Sequence, residues 1–479
     1  MLDRIWIAIS FIVFLLLFTG VGIYSATRKT NTTADYLLAS RTVNFWLTAL
    51  SAFATAHSGA MFTAIIGYTY QVGISAAWLP IGWVLGDALA WIFVYKRLRV
   101  ASEESACETV GGFLAGDQKG NRAIAIISAF VTLAFLGTYS AAQLVAGSKA
   151  LHVLFGWDYS WGIILGAAIV VAYCFSGGIR ASIWTDAAQS GVMMFAMMGL
   201  LVLSIAACGG VGELWSQLES IDPLLVNPSP SNLEFGTLFF VLGWVASGLA
   251  VLGQPHILVR AMAIDSAENI GLSRNLYLIS YTLFSAAAIG VGLTARVLMP
   301  QLMVAGRDPE LALPLLSVEL LPAVLVGVIL AGLFAAVIST TDSQILSCSA
   351  ALTQDLFPKA AHSYKMAKIG TVTATAVILA IALAGNQNVF MLALLGWSTL
   401  GSTFGPLLLV RVFRLPLNPI VAIAMMVVAI ATTLIWRFGL NWSNNVIETL
   451  PAMIAPTLVY AIYWVFAVRQ NQQNPGSPP

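Results

Sequence analysis

Charge is what this chain has least of. Asp, Glu, Lys and Arg make up 9% of its 479 residues, where soluble domains carry about a quarter. With 59% hydrophobic residues, too few polar groups remain to clothe a water-facing surface. The chain is therefore read as a polytopic membrane protein. A net charge of +1 gives no hint of nucleic-acid binding, so no such partner is expected. The four cysteines, Cys107, Cys174, Cys208 and Cys348, show no CxxC or metal spacing. The four histidines, His57, His152, His256 and His362, form no HExxH pair. No phosphate-binding GxxxxGK loop occurs, which removes ATP as an evident energy source. No nucleophile–base motif is present either, so the chain is not read as an enzyme. The first apolar run, Ile5–Tyr24, lacks a small-residue cleavage site. It is too long for a signal peptide and is read as a retained helix.

What is abundant is apolar runs of bilayer length, and 13 spans are predicted. Span zero is Ile5–Tyr24, one is Phe45–Ile66, two is Ile74–Tyr95, three is Ala123–Val145 and four is Tyr159–Phe175. Five is Ser182–Ala206, six is Phe235–Val259, seven is Leu276–Leu298 and eight is Pro322–Cys348. Nine is Met366–Ala384, ten is Val389–Val410, eleven is Pro419–Phe438 and twelve is Ala452–Val468. With the N-terminus outside, 17 of the 22 basic residues fall in inner loops and 5 outside. The positive-inside rule therefore places the N-terminus outside and the C-terminus in the cytoplasm. A multi-pass protein of the plasma membrane is expected, with one transmembrane domain over residues 1–469. The polar tail Gln470–Pro479 is expected to be disordered. The run Glu310–Leu321, in an outer loop, is expected to lie on the outer surface.

Polar residues inside spans then stand out. Ser339 to Gln344 are six polar residues in a row in span eight. Ala336, Ser339, Thr340 and Ser343 follow i, i+3, i+4, i+7 spacing and share one helix face. Asp342 flanks that face. An ionised carboxylate at bilayer depth costs about 3 kcal/mol or more, which marks a functional site. Hydroxyls and a carboxylate are hard oxygen donors suited to a desolvated cation. The competing reading is that these hydroxyls bond their own helix carbonyls or glue helices together. With no Lys or Arg in span eight, a cation from solution is the expected partner of Asp342.

Span one carries Leu50-Ser-Ala-Phe-Ala-Thr-Ala-His-Ser-Gly-Ala60, small and hydroxylated at its middle. Span six carries Gly243 to Gly253, then Gln254-Pro255-His256. Two interrupted helices five spans apart are the mark of an inverted-repeat transporter, with repeats at about 45–206 and 235–410. Asp186 either caps the start of span five or faces the interior. Asp87 is read as bonding a polar group on a neighbouring helix, with no further role.

Several stretches, in order, resemble the sodium:solute symporter family, and within it the proline-symporter branch. They are Asp35-Tyr-Leu-Leu-Ala-Ser-Arg41, Gly73-Ile-Ser, Tyr139-Ser-Ala-Ala-Gln-Leu-Val-Ala-Gly147, Ser176-Gly-Gly and Trp184-Thr-Asp186. Then come Gly253-Gln-Pro-His256-Ile, Ala335-Ala-Val-Ile-Ser-Thr340 and Gly401-Ser-Thr-Phe-Gly-Pro406. The resemblance implies an all-α, LeuT-type 5+5 inverted repeat with one extra N-terminal and two extra C-terminal helices. It implies sodium-coupled import of a small solute by alternating access. Its shared sodium site maps onto Ala54, His57, Ala336, Ser339 and Thr340. A second cation site maps onto Asp186, Ser339, Asp342 and Ser343. The substrate region maps onto Tyr139, Ser247 and Val251, with Trp244 one turn before Ser247. Two departures are plain: Ala56 stands where the branch has an aspartate, and Ser247 and Val251 stand where it has aromatics. An amino acid or another small carboxylate is the expected solute. The expected partners are that solute, sodium and the bilayer, with the chain acting as a monomer. The alternatives are proton coupling through Asp342, Asp186 or His57, and a membrane sensor on a transporter scaffold.

Overall fold

The computed structural model describes residues 2–27, 30–59, 61–116, 121–230, 233–304, 307–360, 363–385 and 388–473. Among these residues, 11 helices are long and apolar enough to cross a membrane. Two shorter apolar helices, Phe45–Ala56 and Tyr159–Ala172, stand at spans one and four. Every expected span is thus helical, as a lipid environment demands when each backbone group must be satisfied internally. The sole β-bridge among the described residues joins Val43 to Ile264.

Both expected interruptions are present. The first half of span one ends at Ala56, and His57 leaves helical geometry at φ −90°, ψ 69°. Helix resumes through a π turn, Met61–Ile65. Span six runs Gly236–Leu249, tightens into the 3-10 turn Ala250–Gly253, breaks at Gln254 and restarts as Pro255–Ala263. Pro255 has no N–H to lose at this first helical position.

Spans four and five form one helical run, Tyr159–Ala207, folded back at Gly178 (φ 58°, ψ −150°). A side chain there would fall 2.5 Å from the Tyr36 carbonyl oxygen, so glycine is required on two counts. Asp186 lies past this bend, inside the helix and fully buried. It does not cap a helix start, because the helix does not start there.

Span eight, Ala323–Ala350, is the central post and is buried from Val326 to Leu346. Spans two and six cross glycine to glycine. A Cβ on Gly86 would fall 2.0 Å from the Gly248 carbonyl carbon, and one on Gly248 1.9 Å from the Gly82 oxygen. Small residues permit this approach where lipid supplies no hydrophobic drive between helices.

Two expectations change. The Glu310–Leu321 run forms the turn Pro309–Leu311 and the helix Ala312–Leu320, with Glu310, Ala312, Leu313, Leu316 and Ser317 buried. It inserts into the bundle rather than resting on its surface, because its apolar stripe packs on spans one, seven and eight. The last helix, Thr449–Gln473, continues into the expected tail. Residues 474–479 lie outside the described residues.

Candidate functional site

A buried oxygen cluster joins spans one and eight. The Ser339 hydroxyl donates to the Ala54 carbonyl at 2.9 Å and approaches the Ala336 carbonyl at 3.3 Å. The Thr340 hydroxyl donates to the Thr55 carbonyl at 3.0 Å. All five residues are buried. The carbonyls are available because the break after Ala56 removes the N–H groups that would otherwise donate to them from the next turn. Hydroxyl and carbonyl oxygens at this spacing suit a small desolvated cation once the hydroxyls turn their lone pairs inward. Thr55 was not legible as part of this set. The expectation for His57 concerns its backbone carbonyl at the break; its ring packs on Tyr281 at 4.0 Å between centroids, with Nε2 3.4 Å from the Ser285 hydroxyl.

One helical turn on, a second cluster holds Asp186, Asp342 and Ser343 together, but with an unexpected member. Arg260 Nη2 lies 3.1 Å from Asp186 Oδ2 and also bonds the Ser343 hydroxyl. Its Nε donates to Ser51 at 3.2 Å. Ser51 donates to Asp186 at 2.7 Å. Ser182 and Ser343 donate to Asp342 Oδ1 at 2.8 and 2.9 Å. The sequence predicts a cation from solution as the partner of Asp342; the structure adds an unforeseen basic residue beside it, paired with Asp186. The helix after the span-six break runs on to Ala263 and carries Arg260 inward, where it is 1% exposed. Two carboxylates and one guanidinium, if all are ionised, leave one negative charge. Asp186 Oδ1 has no partner among the described residues.

Tyr139 lines a small central cavity of about 20 Å³ with Ile65, Trp83, Phe390, Ala393, Leu394 and Trp397. Its hydroxyl donates to Ser58, at the span-one break, at 3.4 Å. Its ring lies 5.9 Å from that of His256, beyond the span-six break. Ser247 meets this wall through Trp83, whose indole N–H donates to its hydroxyl at 3.1 Å, and Trp397, which donates to its carbonyl at 2.7 Å. The aromatic wall absent from span six is thus supplied by spans two and ten. Trp244 and Val251 are buried but do not line the cavity. Trp244 packs instead near Tyr68, at 6.3 Å. Gln143 and His256 are buried with no hydrogen-bond partner for their polar side-chain atoms among the described residues.

Phe390 divides this cavity from a wider one of about 520 Å³, lined by Tyr68, Gln71, Lys149, Glu310, Asn388 and others. Its ring stacks on Tyr68 at 5.0 Å. Glu310 accepts the N–H groups of Val389 and Phe390 at 3.2 and 3.0 Å and pairs with Lys149, capping span ten. The opposite end is tied shut by arginines on carbonyls. Arg41 reaches Met262, Ser102 and Cys107; Arg122 reaches Asp355 and Leu356; Arg411 reaches Leu114 and Ala115.

This architecture, two broken helices around a hydroxyl-lined post, defines a class of ion-coupled transporters. The sodium:solute symporter family model matches residues 36–428, and the chain belongs to that family. Its relatives include the high-affinity proline transporter PutP of Bacillus subtilis, 31% identical over 93% of this chain and 95% of the relative. The sodium/proline symporter of Salmonella typhimurium is 32% identical over 92% and 89%. Among solved structures, a sodium-coupled sialic acid symporter in its substrate-bound outward-open state matches with TM-score 0.78. It shares 20% identity and covers 95% of this chain and 98% of that one. Mhp1 in a closed conformation matches at 0.56 and 18%, over 90% and 95%. The fold is the LeuT-type arrangement, the activity is sodium-coupled solute symport, and the protein is a transporter rather than an enzyme.

Proposed function

We propose that this chain imports a small amino acid or similar carboxylate, with L-proline the first solute to try. In this reading sodium binds at Ala54, Thr55, Ala336, Ser339 and Thr340. The solute binds beside Tyr139, between the two helix breaks. The observation that carries this is the reach of Ser339 and Thr340 across to span-one carbonyls, beside a buried aromatic cavity. The relatives named above are called proline transporters, which supports the solute class. The chain lies in the plasma membrane with its N-terminus outside, acting as a monomer. The wide cavity then faces outward and the arginine ties face the cytoplasm. Purified chain in proteoliposomes should take up labelled proline, or another member of an amino-acid and carboxylate panel, only under an inward sodium gradient. Uptake indifferent to sodium would sink the proposal.

The single negative charge left on Asp186, Asp342 and Arg260 favours a second cation there, either sodium or a proton. The sialic acid symporter structure is described as revealing a novel sodium site in that protein. We expect Asp342→Asn to lower the Hill coefficient for sodium towards one. A wild-type sodium-to-solute ratio of one, without pH dependence, would count against this second site.

A further inference from the structure

Of the three acids within the predicted spans, Asp87 is left unused by both clusters. It is 3% exposed, on span two. The Tyr277 hydroxyl of span seven donates to its Oδ2 at 2.8 Å. Its Oδ1 has no partner among the described residues. None of the ion pairs described reaches it.

The groups around it are aromatic. Span two itself brings Trp91 and Tyr95, whose rings lie 5.0 Å apart, and Trp91 meets Tyr277 at 5.3 Å. The Tyr95 hydroxyl is also buried without a hydrogen-bond partner among the described residues. Span seven adds Tyr281, 5.5 Å from Tyr277. Span six approaches here through backbone, at Gly248 against Gly86. Beyond Tyr281 stands His57, the residue that ends the first half of span one. A π turn, Ala90–Val94, separates Asp87 from Tyr95, and such turns recur at functional sites.

A carboxylate facing one phenol cannot remain ionised in this setting. An unpaired charge in a low-dielectric interior costs far more than an unmatched neutral hydroxyl. A metal cation would need several oxygen ligands, and Tyr277 points its proton at the carboxyl, which leaves the Tyr95 oxygen as the one further ligand among these groups. A single proton satisfies the charge with no further ligand.

We propose that Asp87 is a buried proton-binding site, linked through Tyr277, Tyr281 and His57 to the sodium-binding break in span one. When neutral, it fits the closed contact of spans two and seven. Its ionisation requires that contact to open to water, which moves Tyr281 and the His57 ring packed on it. Ala54 and Thr55 lie three and two residues before His57, so sodium binding and the state of Asp87 act on one segment. The second half of this proposal rests on the sodium site proposed above; the protonation itself does not.

Infrared spectra of the full chain in lipid and D2O test both parts, with sodium chloride as the probe and choline chloride as the control. Asp87→Asn should remove one protonated-carboxyl band. Tyr277→Phe keeps the carboxyl, removes its donor and should shift that band. Sodium should displace the same band in the wild type, and the displacement should vanish in Asp87→Asn. If no band disappears or shifts in the two variants, the proton site is overturned. If the band is present but sodium leaves it unmoved, the link to span one is overturned. A failure of the solute panel would leave these spectra unaffected, so the two proposals fail separately.

Discussion

A hydroxyl inside a helix ordinarily closes back on its own backbone, and several in span eight do. Thr341 bonds the Val337 carbonyl at 2.6 Å, and Ser347 bonds that of Ser343 at 2.9 Å. Ser339 and Thr340 instead reach span one, and for that reason they are the pair proposed as ligands. Their helix face was legible because spacing alone sets which residues share a face. Thr55 was not, because a ligand that acts through its carbonyl leaves no mark in side-chain type. Removing one hydroxyl should cost about 1–3 kcal/mol of ion binding, as for an unmade buried hydrogen bond. Ser339→Ala or Thr340→Ala should therefore raise the half-saturating sodium concentration of uptake about tenfold, since about 1.4 kcal/mol is a factor of ten. Unchanged sodium dependence in both variants would move the site off this face. Arg260 escaped the sequence reading for a different reason: a basic residue just past an apolar run reads as a loop. Its removal leaves two buried carboxylates facing each other, and breaking such a pair costs about 3–5 kcal/mol. Arg260→Gln should lose most of its folded yield, and Arg260→Gln with Asp186→Asn should regain much of it. Equal yields for the single and double variants would show that the two charges do not act on each other.

At the scale of the element, both helix breaks were readable from local chemistry, through Gly59 in span one and Gly253-Gln-Pro255 in span six. The burial of the Ala312–Leu320 helix was not. Its docking depends on spans one, seven and eight, which no window of its own sequence contains. The glycine crossing of spans two and six was equally hidden, because Gly82, Gly86 and Gly248 acquire meaning only once the two helices are set side by side. Gly248→Ala would place a methyl 1.9 Å from the Gly82 oxygen. Overpacking of this kind costs about 1–3 kcal/mol, so the thermal unfolding midpoint in detergent should fall. Gly199 has nothing within 4 Å of its ideal Cβ, so Gly199→Ala serves as the control and should be neutral or slightly stabilising. Equal midpoints for the two variants would mean that the helices part easily at the crossing.

For the whole molecule, the number and order of spans followed from hydropathy, because a bilayer fixes the length of each apolar run. What hydropathy could not separate were helices that run into each other: spans four and five share one run bent at Gly178, and the outer half of span one leads on into span two. The sidedness rests on charge. By the predicted spans 17 of 22 basic residues fall in inner loops; one of them, Arg260, is instead buried in the bundle, while Arg41, Arg122 and Arg411 hold segments together through carbonyls. Ser216, exposed on the helix Val211–Ile221, and Ser363, at the start of the helix Tyr364–Ala384, then fall on opposite sides. Of the native cysteines Cys174, Cys208 and Cys348 are buried, and Cys107 is partly exposed, so Cys107→Ser gives a quiet background. On it, Ser216→Cys should react with a membrane-impermeant maleimide in intact cells. Ser363→Cys should react only in inside-out vesicles, because the positive-inside rule holds its loop in the cytoplasm. Labelling of Ser363→Cys from outside would invert the molecule, and the cavity of about 520 Å³ would then open to the cytoplasm.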